Sequence, residues 1–225
     1  MFLRTAWLVL RKDVAIEAKS WEVVTTTLFF AVACVLIFAF AFVKEGRPVE
    51  DAAAGILWIA IAFSGTLALG RTFERERYGE TLRALLLAPA PRAALYVGKL
   101  LGMLVLLAVA ETLLVPMIAL LFQASLFSRP VLLAGLLAGG TIGFSAVGTL
   151  FAAMLVRARS RDVLLPVLLY PIIIPVIIAG VRGTAALLGA EPDEPTAIMW
   201  IGILAAFDAV FVTLALWTFE PLMTE

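Results

Sequence analysis

Six apolar stretches, near residues 23–43, 52–70, 97–122, 131–155, 163–182 and 198–219, leave this 225-residue chain few ways to fold. Each is long enough, as α-helix, to cross a hydrocarbon core of ~30 Å, which takes roughly 20 apolar residues. Inside lipid the backbone has to satisfy its own hydrogen bonds, and a helix does so within one segment. Apolar residues make up 63% of the chain and mean hydropathy is +1.07. A soluble domain is about half apolar, so lipid is the expected solvent. The stretches and their connections use up the chain and leave no room for a soluble domain. The expectation is an all-α membrane protein, with residues 1–225 forming one transmembrane domain of six transmembrane helices.

The flanks of these stretches set the orientation. Arg11, Lys12, Asp13, Glu17, Lys19 and Glu22 delay the first apolar run, which is not how a signal peptide is built. Leu3, Ala6, Trp7, Leu10, Val14 and Trp21 share one helical sector, and Arg4, Arg11, Lys12 and Lys19 lie mostly outside it. Residues 1–22 therefore predict an interfacial amphipathic helix. A plain start to the first span is the other reading. With the N-terminus in the cytoplasm, thirteen Lys and Arg fall inside and four (Lys44, Arg47, Arg129, Arg182) fall outside. Basic residues collect on the cytoplasmic side, so both termini are expected there. Residues 44–51 and 123–130 read as short turns, and residues 183–197 as a loop.

Several chemistries are excluded. The chain has no histidine and a single cysteine, Cys34, so histidine catalysis, histidine ligation and cysteine-pair chemistry are absent. Basic and acidic residues balance at 17 each, so nothing points to nucleic acid. Gly98-Lys99 is followed by Leu100, and Ala93 stands where a phosphate-binding loop needs its first glycine. No metal site is expected. Any work done by this chain draws its energy from another one.

Four groups of residues carry the functional expectations. The connection from Arg71 to Arg92 is the longest and the most charged. Within it Leu82, Leu85 and Leu86 fall at i, i+3 and i+4, a short amphipathic cytoplasmic helix closed by Pro89 and Pro91. Such a helix suits a groove in a partner or a lipid surface. Residues 157–162 make a second, short basic connection. Glu111 and Asp208 lie inside spans, where a charge costs roughly 2.5–3.5 kcal/mol on insertion scales and often marks function. Proton relay, substrate contact and helix–helix hydrogen bonding all fit them. Gly135, Gly139 and Gly143 recur every fourth residue, which allows close helix packing. Pro166, Pro171 and Pro175 predict a kinked or broken fifth span. It is either a packing feature or, with Tyr170, a moving part of a substrate path.

Taken in order, several stretches resemble one family: Gly55-Ile-Leu-Trp58, the connection from Phe73 to Pro89, Gly98-Lys-Leu100, Glu111-Thr-Leu-Leu-Val-Pro116, Gly143-Phe-Ser-Ala-Val-Gly-Thr-Leu150, Arg161-Asp-Val-Leu-Leu-Pro166 with Pro171 and Pro175, and Ala206-Phe-Asp208. The chain is similar, over nearly its whole length, to the CcmB family, the haem exporter B subunit of bacterial cytochrome c maturation. One departure stands out. The family reads Glu-Gly-Thr-Leu-Glu where this chain has Gly79-Glu80-Thr81-Leu82-Arg83.

The resemblance implies the membrane subunit of an ABC transporter in the bacterial inner membrane. It would pair with a second copy of itself and two copies of a CcmA ATPase, which holds the ATP and Mg. CcmC and CcmD would join it in the membrane, with the haem chaperone CcmE an indirect partner. ATPase coupling then falls to Arg71, Glu74, Arg75, Glu76, Thr81, Leu82, Leu85, Leu86, Pro89, Arg161 and Asp162. Haem is the implied substrate. Haem iron takes an axial His, Cys, Met or Tyr. Met103, Met117 and Tyr170 are the weak ligands available, so the isolated chain is expected to bind haem poorly. Three alternatives stay open on these residues. They are a permease for another hydrophobic substrate, a mechanical coupling subunit that does not itself move haem, and a passive scaffold. A membrane-embedded enzyme would rest on Glu111 and Asp208 alone.

Overall fold

The structure, a computed structural model, describes residues 2–44, 47–48, 52–73, 91–156, 158, 160–188 and 191–222. Seven α-helices occur among them: α1 (Phe2–Ser20), α2 (Glu22–Ala41), α3 (Ala53–Arg71), α4 (Arg92–Leu121), α5 (Pro130–Met154), α6 (Arg161–Leu188) and α7 (Glu194–Leu222). The only strands among the described residues are β1 (Val43–Lys44) and β2 (Arg47–Pro48), a two-residue ladder within the turn after α2. Among the described residues, α2 to α7 are the six helices long and apolar enough to cross a membrane. The short amphipathic helix expected around Leu82, Leu85 and Leu86 lies outside the described residues.

Several helices outrun their apolar stretches. Expected near residue 97, α4 begins at Arg92, directly after Pro91, whose fixed φ suits a helix entrance. At 30 residues it is about 45 Å long, more than the hydrocarbon core requires. The expected loop 183–197 is shorter than that, because α6 continues through Arg182, Gly183 and Thr184 to Leu188. Hydropathy marks where a chain enters lipid, whereas backbone hydrogen bonding carries the helix on past that boundary. The three prolines lie inside α6, which runs unbroken from Arg161 to Leu188. Each proline releases a carbonyl four residues earlier, at Asp162, Val167 and Pro171.

Small residues decide which helices go to the middle. α3 and α5 are the most enclosed spans, and α7 is the least. α3 buries Ala53, Ala54, Ala60, Ala62, Gly65 and Ala68. α5 buries Gly140, Gly143, Ser145, Ala146 and Gly148. Lipid offers helices no hydrophobic reason to associate, so close backbone approach and polar contacts have to serve. α5 packs on α4, α6 and α7, and α3 packs on α2, α4 and α6. One consequence is a slot for Trp58 of α3. Its ring lies so near α5 and α6 that a methyl group added at Gly140 would come within 2.1 Å of it, and one at Gly180 within 2.3 Å.

Outside the bundle, α1 packs on α4. It buries Ala6, Val9 and Leu10 and leaves Leu3, Trp7, Val14 and Trp21 exposed. The apolar sector read from the sequence is thus divided between a protein contact and an outward face, and Val9 joins the protein contact. Trp21, in the left-handed region at φ 53°, makes the corner between α1 and α2.

Candidate functional site

Two ends matter most, the end of α3 and the start of α4, because the charged connection 74–90 leaves from one and returns to the other. Lys99 lies about two turns into α4 and is 3% exposed. Its ammonium donates to the Thr72 carbonyl at 2.9 Å and pairs with Asp13 Oδ2 of α1 at 3.0 Å. It also sits 5.3 Å from the centroid of the Phe73 ring. A carbonyl at a helix C-terminus, a carboxylate and an aromatic face all favour a cation. Beside this cluster, Arg71 at the end of α3 donates to Glu22 Oε1 at the start of α2, over 2.9 Å. The Val24 N–H donates to Glu17 Oε1 at 2.9 Å, so a side chain of α1 caps α2 across the corner.

A groove of about 360 Å³ opens between α1, α2, α3 and α4 at this end. Val14, Trp21, Met103 and Val109 supply its apolar wall, and Lys12 and Arg71 stand at its charged part. A second cavity, of about 420 Å³, lies between α5, α6 and α7 and is lined almost wholly by apolar side chains such as Leu150, Phe151 and Phe211.

The intramembrane polar residues are spread over the bundle. Glu111 of α4 accepts a hydrogen bond from the Thr141 hydroxyl of α5, and both are buried. Asp208 of α7 lies on the other seam of α5, with Oδ1 only 2.7 Å from where a methyl group on Gly143 would sit. That oxygen has no hydrogen-bond partner among the described residues. Gly135, Gly139 and Gly143 all face α7, against Ile201, Leu204 and Asp208 in turn. Tyr170 of α6 approaches α3, with its hydroxyl 3.3 Å from Thr66 Oγ1 and its ring centroid 5.9 Å from that of Phe63. Pro171 and Pro175 are exposed on α6. Glu111, Asp208 and Tyr170 therefore sit at three different helix seams, α4 with α5, α7 with α5 and α6 with α3.

At the start of α6, Arg161 is buried and its Nε lies 3.5 Å from Oδ1 of the exposed Asp162. Arg71 is thus placed at the root of the long connection and Arg161 and Asp162 at the head of α6. Glu74, Arg75, Glu76, Thr81, Leu82, Leu85, Leu86 and Pro89 lie outside the described residues. The Asp13–Lys99–Thr72 cluster did not emerge from the sequence. Its signal was present, since Lys99 is the only charge between Arg92 and Glu111.

The CcmB protein family profile matches residues 4–221. The chain belongs to the CcmB protein family. Among curated proteins it is 28% identical over 185 residues to heme exporter protein B of Pseudomonas aeruginosa, covering 82% of each chain. The protein of that name in Paracoccus denitrificans is 33% identical over 167 residues, 73% of this chain and 75% of the relative. The one in Rhodobacter capsulatus is 30% identical over 182 residues, 80% and 82% respectively. The CcmB match takes in α2 to α7, so the protein is a multi-pass membrane member of that family.

Proposed function

We propose that this chain is the haem-exporter membrane subunit of an ABC transporter, driven by a separate ATPase and working in c-type cytochrome biogenesis. The observation that carries this is the family match over residues 4–221, together with relatives named heme exporter protein B over most of their length. The chain lies in the bacterial inner membrane with both termini in the cytoplasm, as the distribution of thirteen basic residues against four argues. The connection 74–90 then faces the cytoplasm, where an ATPase resides.

In this account the mechanism is mechanical. Two CcmA chains closing on ATP push the connections of two copies of this subunit. The movement passes through the roots of α3 and α4 into the bundle and drives haem delivery, or release of haem-loaded CcmE, at the periplasmic face. CcmC and CcmD complete the membrane part. Arg71 holds the root of the connection, and Arg161 and Asp162 offer a second contact. Iron ligation belongs to another subunit. Met103 and Met117 lie on α4 among apolar neighbours, and no histidine is available.

Isolation of the intact complex from membranes tests this directly. An ATPase and a CcmC-like subunit are expected to co-purify, and the subunit alone is expected to lack a stoichiometric haem Soret band. Full cytochrome c maturation without any associated ATPase would contradict it.

A further inference from the structure

The Lys99 cluster joins three pieces of chain that are distant in sequence. Thr72 and Phe73 are the last described residues before the connection 74–90, and Lys99 lies just after the connection returns. One ammonium, with three protons to donate, therefore ties the outgoing end to the incoming end. Asp13 adds α1 to the same cluster. Nor is α1 loosely attached. Where it crosses α4, a methyl group added at Gly98 would meet Val9 Cβ at 2.6 Å and the Ala6 carbonyl oxygen at 2.9 Å. Its far end is braced to α2 by Glu17, and α2 to α3 by the Glu22–Arg71 pair. The base of the connection, α1 and the start of α2 form one cross-braced unit.

We infer that Lys99 is a positioning residue that couples the end of α3, from which the connection 74–90 leaves, to α1, so that displacing that end moves α1 and the head of α2 with it. This rests on the proposal that the connection docks an ATPase. A buried cation with a carbonyl, a carboxylate and a ring around it is a short, directional link. An apolar side chain in its place would fill the space and remove this direct link between α1 and the end of α3, leaving the indirect route through Glu17, α2 and the Glu22–Arg71 pair. Asp13 is part of the same link and is more accessible than Lys99. Removing its side-chain oxygens with Asp13→Ala cuts this tie to α1 and keeps the tie to Thr72.

The test uses the intact complex purified from membranes in a Cys34→Ser background. A spin label on Leu3→Cys reports on α1, since Leu3 is 79% exposed. With Lys99 and Asp13 present, MgATP is expected to change the spectral line shape. Lys99→Met and Asp13→Ala are each expected to diminish that change while the ATPase still co-purifies in the same amount. If Lys99→Met fails to insert, Asp13→Ala decides. A nucleotide response undiminished in Asp13→Ala, or absent when both residues are intact and the ATPase is bound, overturns the coupling and leaves the docking proposal standing. A complex that contains no ATPase overturns both.

Discussion

Trp58 of α3 donates its indole N–H to the Thr184 hydroxyl of α6 over 3.0 Å, with both side chains buried and 126 positions apart. The bond holds the ring in the slot between Gly140 and Gly180. Interhelical hydrogen bonds in membranes average about 0.6 kcal/mol, so Thr184→Val, which removes the acceptor at nearly constant volume, is expected to lower the thermal midpoint only slightly. Gly180→Ala places a methyl group inside the ring and is expected to cost more, about 1–3 kcal/mol. Thermal unfolding in detergent, followed by size exclusion, separates the two. Equal losses would mean that the slot is not tight.

Gly143 and Asp208 should behave as a unit. A methyl group at Gly143 would meet Asp208 Oδ1 at 2.7 Å, and both Phe207 and Val176 at 3.1 Å. Gly143→Ala is expected to destabilise by about 1–3 kcal/mol through overpacking. Removing the carboxylate with Asp208→Ala is expected to recover part of that loss, making the double variant less destabilised than the sum of the two singles. Strict additivity in a double-mutant cycle would place Asp208 away from this seam.

Glu111 is expected to act as a hydrogen-bond acceptor for Thr141. Glu111→Gln keeps the volume and an acceptor oxygen, so stability should stay within about 1 kcal/mol of the parent. Cytochrome c maturation should continue in a complementation assay. Loss of maturation at an unchanged thermal midpoint would assign the carboxylate a proton or substrate role instead.

Asp193 lies outside the spans and caps α7, accepting the Thr196 N–H at 3.1 Å. Its carboxyl is held below the ordinary aspartate range, first by the Thr196 side chain and then by the Thr196 backbone. The cap's contribution is therefore present above that ordinary range, about 3.9, and is lost as pH falls through the lowered value. The protection of the Thr196 amide, its exchange rate relative to the intrinsic rate at each pH, should fall on acidification through that window. Asp193→Asn, which still caps a helix, should remove the pH dependence of that protection.

The spans were legible because hydropathy is a local property summed over about twenty residues. Their ends were less so. α6 reaches Leu188 past Arg182, and Thr184, read as loop, turns out to bond Trp58. Glu111 and Asp208 could be picked out as costly groups, but the sequence does not say that Thr141 faces one of them and Gly143 the other. Those partners lie on another helix, and their register depends on how the helices rotate against each other. Lys99 illustrates the same limit. A lone lysine in an apolar run is visible in sequence, whereas its carboxylate partner 86 positions earlier, on a helix that also presents apolar residues outward, is not.

The most direct test of ATPase docking on the connection 74–90 is quantitative co-purification of the ATPase with Leu82→Asp/Leu85→Asp/Leu86→Asp. The proposed docking helix should then lose its apolar stripe, and the bound ATPase should fall at least tenfold, while the subunit still inserts and reaches its normal level in the membrane. An undiminished ATPase yield from that variant would contradict the account.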